Sequence, residues 1–131
     1  MTADLSAIIA RLEAAEVGSR ELDVAIARSL GWGVHNARRF GLWVVPFGEY
    51  DTCDPDDMFE LGEFTTSLDA AHALAERVLE GWTWDVGRHS NGLYRAGLYK
   101  PKSSFMVATS DKSAPALALC ISILRAKQGE G

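Results

Sequence analysis

Two blocks near the C-terminal end constrain this chain more than any other feature. Residues 64–88 read FTTSLDAAHALAERVLEGWTWDVGR, and residues 108–126 read ATSDKSAPALALCISILRA. Each contains a capped amphipathic helix, and the stretch between them is rich in β-formers. A fold that holds both must bury two helical faces against strands, which makes it a layered α/β object. The 131 residues are the common size of one domain, and a hydrophobic content of 47% supplies a single core. No internal repeat is visible, so 1–131 reads as one domain.

The helices follow from spacing and caps. In 4–16, Leu5, Ile8, Ile9 and Leu12 fall on one helical face, and Gly18 is expected to end that helix in a left-handed conformation. Ser19 caps a second helix over 20–30, with Leu22, Ala25, Ile26 and Leu30 inward and Gly31 as its stop. Ser67 caps a third over 68–80, whose buried stripe is Leu68, Ala71, Ala75, Val78 and Leu79, closed by Gly81. Asp69 in its first turn faces the positive end of the helix dipole. The last helix opens at Ser113, takes Pro115 in its first turn and runs to about Lys127. Its apolar residues cover more than half its circumference, and Leu117, Ile121 and Leu124 form the stripe expected to be most buried.

Strands are predicted at 41–47 (ending near Pro46), 82–88, 93–100 and 104–109. In the first, Trp43, Val45 and Phe47 point one way and Leu42 and Val44 the other, so both faces need cover. Trp82 or Trp84 is expected to be substantially buried. The last three strands are joined by short turns and must be mostly antiparallel, while the helix at 68–80 can serve as a parallel crossover. The fold class is therefore α/β (α+β), a three-layer α-β-α sandwich with a mostly antiparallel sheet of about four strands. Residues 48–63 read as a long loop with Asp54-Pro55 as a turn signal.

Charge is distributed unevenly. Residues 1–81 hold 6 basic and 15 acidic side chains, 82–112 hold 5 and 2, and 113–131 hold 2 and 1, for nets of −9, +3 and +1 and a total of −5. An acidic total argues against general nucleic-acid binding, which draws its affinity from Lys and Arg. The segment 49–63 has seven acids and no base. No run approaches the roughly 18 apolar residues of a membrane span. The first 16 residues lack a basic leader followed by an apolar core. Cys53 and Cys120 are isolated, as in a reducing cytoplasm.

Four words of the sequence, ELDVAIARSLGW (21–32), TTSLDAAHAL (65–74), GWTWDVGR (81–88) and APALALCISILRA (114–126), resemble the phage ABA sandwich domain family. That family consists of small bacteriophage and prophage proteins of unknown function. The resemblance spans about 19–127 and leaves the first helix, at about 4–16, as an addition. It implies the α-β-α fold and a phage or prophage origin, and it brings no catalytic residues and no cofactor.

Chemical motifs are sparse. His35, His72 and His89 lie on three different elements, and neither cysteine has a second ligand at zinc-site spacing. His72 and Glu76 read as an ordinary i, i+4 pair. The run Asp51, Asp54, Asp56, Asp57, Glu60 resembles a calcium loop in charge alone, because Asp56 stands where an EF-hand loop needs Gly. There is no Gly-x-Ser-x-Gly elbow and no phosphate-binding loop. Cys53 has acidic neighbours that raise its pKa, and Cys120 sits on an apolar helix face.

One constellation has a physical argument for a ligand. With Asn91-Gly92 as a two-residue hairpin turn, opposed residues sum to 183, so Arg88 faces Arg95, Val86 faces Gly97, and Trp84 faces Tyr99. Opposed arginines destabilise a sheet unless neutralised. Beside Trp84 and Tyr99 they suit a planar anion such as a nucleotide. The plainer reading pairs them with solvent or with the acidic segment 49–63.

Taken together, the sequence reads as a cytoplasmic, non-enzymatic phage or prophage accessory protein that binds an unknown host or phage protein. Two alternatives stay open: a binder that sequesters a small anionic ligand through Arg88, Arg95, Trp84 and Tyr99, and an enzyme of unrecognised type.

Overall fold

A computed structural model describes residues 4–37, 41–46, 48–102 and 106–130. The described chain is α+β, with four α-helices and two three-stranded antiparallel sheets. The elements are α1 (Ser6–Ala14), α2 (Arg20–Ser29), β1 (Gly33–Asn36), β2 (Leu42–Val45), β3 (Phe59–Glu60), α3 (Leu68–Val78), β4 (Thr83–Arg88), β5 (Tyr94–Tyr99), β6 (Met106–Lys112) and α4 (Pro115–Glu130). No helix among the described residues is long and apolar enough to cross a membrane.

The expected single sheet of about four strands is replaced by two sheets, ordered β1-β2-β3 and β4-β5-β6. The first arises because β1, not expected from sequence, folds back on β2, with His35 opposite Trp43 and Val34 opposite Val44. The two-residue β3 then adds to the other edge of β2. The helix at 68–80 is therefore not a parallel crossover within one sheet; it joins two separate sheets. Both Val44 and Val45 are buried, so β2 is covered on both faces as its apolar pattern requires. Phe47 and the start of the strand expected at 104–109 lie outside the described residues.

Segment 48–63 is more ordered than a plain loop. Cys53 is buried, and its N–H donates to Glu49 O (2.8 Å). Asp54 caps a 3-10 turn at Pro55–Asp57 by accepting from Asp56 N (3.0 Å). Leu61 N donates to Leu42 O (2.9 Å), which holds the end of the segment to β2.

The helix caps form as expected: Ser19 Oγ accepts from Leu22 N (3.1 Å), and Ser67 Oγ from Ala70 N (3.2 Å). Gly31 and Gly81 follow their helices at φ +86° and +82°. Gly18 differs, because its φ is not positive and α1 already ends at Ala14. Its role is close approach: a Cβ there would stand 2.1 Å from Thr65 O. In α3, Leu68 at the first turn is 41% exposed and Leu74 takes its place in the core.

Helix α4 is the hub. It lies along β5 and β6 and packs against α3 and α1. Every residue from 116 to 124 is buried, so the predicted stripe of Leu117, Ile121 and Leu124 is inside. Two polar groups on this buried helix are satisfied by carbonyls of different elements. Ser122 Oγ donates to Ala96 O of β5 (3.1 Å), and Cys120 Sγ donates to Phe64 O ahead of α3 (3.1 Å). Trp82, leading into β4, is also buried. Helix α1 is no loose appendage: Leu5, Ile8, Ile9 and Leu12 are all in the core. Arg125 Nη2 meets Glu13 Oε1 at 2.8 Å, and Lys112 Nζ donates to Glu13 O at 2.8 Å.

A buried polar knot joins α2 to the segment before α3. Asp23 is fully buried, and its Oδ1 accepts from Thr65 N (2.9 Å) and Thr65 Oγ1 (2.7 Å). Its Oδ2 meets Arg20 Nη1 at 3.1 Å, and the same guanidinium donates to Gly62 O and Leu61 O. Thr65 Oγ1 in turn accepts from Ser19 N at 2.9 Å.

Two expected outcomes follow. Ile121→Ala should cost about 2–5 kcal/mol in urea unfolding, through lost transfer energy and the cavity left behind. Asp23→Ala, which leaves the buried Thr65 N–H without its acceptor while Thr65 Oγ1 can still donate to Ser19 O, should cost about 1–3 kcal/mol. A parent-like midpoint for Asp23→Ala would show that the knot is dispensable.

Candidate functional site

The four residues singled out in the hairpin do not converge. The turn is a three-residue loop, Ser90 to Gly92, closed by His89 N donating to Leu93 O (2.8 Å), with Gly92 N donating back to His89 O (3.0 Å). Gly92 takes the left-handed conformation (φ +86°), and Asn91 Oδ1 accepts from Leu93 N (3.0 Å). Opposed residues therefore sum to 182: Arg88 faces Tyr94, Gly87 faces Arg95, Trp84 faces Leu98, and Thr83 faces Tyr99. This one-residue difference from the expected register puts Arg88 and Trp84 on one face of the sheet and Arg95 and Tyr99 on the other.

Each of the four has its own surroundings. Arg95 forms a bidentate pair with Asp111 (Nε–Oδ1 2.8 Å, Nη2–Oδ2 3.1 Å). Those hydrogen bonds raise the guanidinium pKa and hold the Asp111 carboxyl below its usual range. The counter-charge thus comes from the neighbouring strand and not from segment 49–63. Strand β6 runs three residues past the expected end, and this extension places Asp111 opposite Arg95. Tyr99 Oη donates to Asp85 Oδ2 (2.9 Å), which pushes the phenol pKa up. Trp84 is half-buried with its ring edge-on to His72 of α3 (centroids 4.5 Å apart), and Arg88 is exposed.

The acidic segment offers a better-formed surface. All seven of its carboxylate residues are exposed. Among the described residues the salt bridges join Arg20–Asp23, His72–Glu76, Arg95–Asp111 and Arg125–Glu13, so none engages those seven. Exposed like charges this close in sequence raise the local negative potential.

Where the segment meets α3 there is a cleft of about 590 Å³, lined by Trp32, Phe59 and Phe64 together with Glu60, Glu76, Glu80 and Arg77. Trp32 and Phe59 meet edge to face (5.4 Å, 88°), and Arg77 Cζ sits 3.6 Å above the Phe59 ring. Aromatic faces ringed by carboxylates attract cations. Sequence reading missed this cleft because its walls come from residues far apart in the chain: Trp32 between α2 and β1, Phe59 on β3 and Arg77 on α3. The available signal was Phe59, an aromatic residue between acids in a stretch otherwise loop-like. A smaller hollow of about 330 Å³ lies under the same segment, bounded by Trp43, Tyr50, Pro55 and Met58, and Tyr50 stacks on His35 (3.6 Å, 12°).

His72 Nε2 stands 3.2 Å from Glu76 Oε1 in the i, i+4 geometry anticipated. No group of three or more His, Cys, Asp or Glu among the described residues is placed to hold a metal ion. Both thiols are driven toward the neutral form. For Cys53 burial acts first, followed by Asp57 and Asp54; for Cys120 burial dominates, with Asp23 adding to it. A raised pKa keeps the thiol protonated at mildly alkaline pH. The native protein should therefore react slowly with a disulfide reagent that labels both cysteines at once in urea. Rapid labelling of the folded protein would contradict this placement. No protein-family model, no curated protein and no solved structure matches the chain.

Proposed function

We propose that this chain is a non-enzymatic interaction domain, a phage or prophage accessory protein of the cytoplasm, which binds a positively charged surface of a host or phage protein. The observation that carries the reading is the segment 49–63, whose seven exposed carboxylates have no salt bridge among the described residues and adjoin an aromatic cleft. Such a surface steers a basic partner in and repels nucleic acid and other polyanions. The phage or prophage element of the proposal rests on the resemblance in 19–127. The finer fold reading, an α-β-α sandwich of the phage ABA type, belongs to it too, supported by the capped α3 and the buried α4 beside β4-β5-β6.

The small-anion alternative loses its physical basis, because Arg88 and Arg95 lie on opposite faces and Arg95 is already paired with Asp111.

The test is binding of dye-labelled hexa-lysine and hexa-arginine peptides, read by fluorescence anisotropy at low and high salt. Both should bind, and binding should weaken as salt rises. The combined change Asp54→Asn, Asp56→Asn and Asp57→Asn should lower affinity several-fold, and the charge-matched Glu16→Gln, Glu21→Gln and Asp69→Asn should lower it less. Equal losses in the two variants, or a thermal shift produced by nucleotides, would overturn the proposal.

A further inference from the structure

The cleft beside the acidic segment already holds a cation of its own. Arg77 projects from α3 and lays its guanidinium over the Phe59 ring at 3.6 Å. Three carboxylate residues, Glu60, Glu76 and Glu80, line the same cleft and are exposed. Arg77 nevertheless forms no salt bridge among the described residues. Three acids against one base leave the lining with a net charge of −2. An exposed cation–π contact is weak, so the ring holds its occupant loosely.

We infer that this cleft receives an arginine side chain of the partner protein, which takes the Phe59 face now covered by Arg77. The inference rests on the interaction-domain reading and names the residue type that reading lacks. Arginine is favoured over lysine because its planar guanidinium stacks on a ring and presents a fork of N–H donors to carboxylates at the same time. Trp32, edge-on to Phe59, walls the slot on one side. Glu60 on β3, with Glu76 and Glu80 from α3 and the turn after it, supplies the acceptors. On arrival the incoming guanidinium displaces Arg77 from the ring and compensates charge that Arg77 alone leaves unbalanced.

The test uses the full chain with the same hexa-arginine and hexa-lysine probes at low ionic strength. Hexa-arginine should bind more tightly than hexa-lysine, and Phe59→Leu should erase that preference. Arg77→Gln removes the internal competitor. It should raise hexa-arginine affinity by about threefold over Arg88→Gln, an equal charge change at an exposed hairpin position. Glu80→Gln, at an exposed site, should lower hexa-arginine affinity and serves as a second variant if Phe59→Leu does not fold. If Arg77→Gln and Arg88→Gln behave alike, or the arginine preference survives both Phe59→Leu and Glu80→Gln, this inference fails while the acidic-surface reading stands. If neither peptide binds the parent protein, both fail.

Discussion

The rest of the structure hangs on one buried carboxylate. Asp23 is fully enclosed, yet it accepts from the amide and the hydroxyl of Thr65 and meets the Arg20 guanidinium. An unpaired buried charge would be prohibitive, so burial at this site is possible only in the conformation that supplies those donors. That conformation clamps the start of α2 to residues 61–65 through contacts that span 41 to 46 residues of sequence. Arg20 reaches across to the carbonyls of Leu61 and Gly62, and Gly18 leaves the room that Thr65 O occupies. The knot therefore fixes where the acidic segment ends and where α3 begins. It orients the cleft walls contributed by β3 and α3.

Hydrophobic packing does the complementary work from the other end of the chain. Helix α4 is apolar nearly all round because it has neighbours nearly all round: the second sheet, α3 and α1. Its buried hydroxyl and thiol each reach a carbonyl on a different element, so neither interrupts the core at the cost of an unmet donor. With the interior filled this way, the charged groups described other than Asp23 are left to the periphery, and they segregate. On one face of β4-β5-β6 the Arg95 charge is neutralised by Asp111, while segment 49–63 keeps its charge uncompensated by any described salt bridge.

Much of the fold was legible because local chemistry and global packing agree at those places. Ser19 and Ser67 cap where they should, Gly31 and Gly81 turn where they should, and the stripe on α4 is inside. What escaped was set by contacts distant in sequence. Strand β1, GVHN, is four residues with two polar side chains and carries no periodic signal of its own; its partner β2 makes it a strand. The two-residue β3 is likewise created by its neighbour. The hairpin illustrates a finer limit, since Asn91-Gly92 announced a turn but not whether the loop has two residues or three. That parity decides which face every side chain of the strand occupies. The aromatic cleft was invisible for the same reason as β1: Trp32, Phe59 and Arg77 become neighbours only once the fold exists.

The docking of α1 on α4 also dictates an order of events during synthesis. The contacts that seal the first helix reach from Glu13 to Arg125 and from Ser6 to Gln128, separations of 112 and 122 residues. A ribosome releases α1 before α4, so the stripe of Leu5, Ile8 and Leu12 emerges before the helix that covers it. Its partner on α4 follows 112 to 122 residues later. The nascent chain carries that apolar seam open while the intervening residues are made, and the seam closes against α4 only once α4 is free to fold back. Late closure of this kind makes the burial of the α1 stripe depend on a chain long enough to include α4.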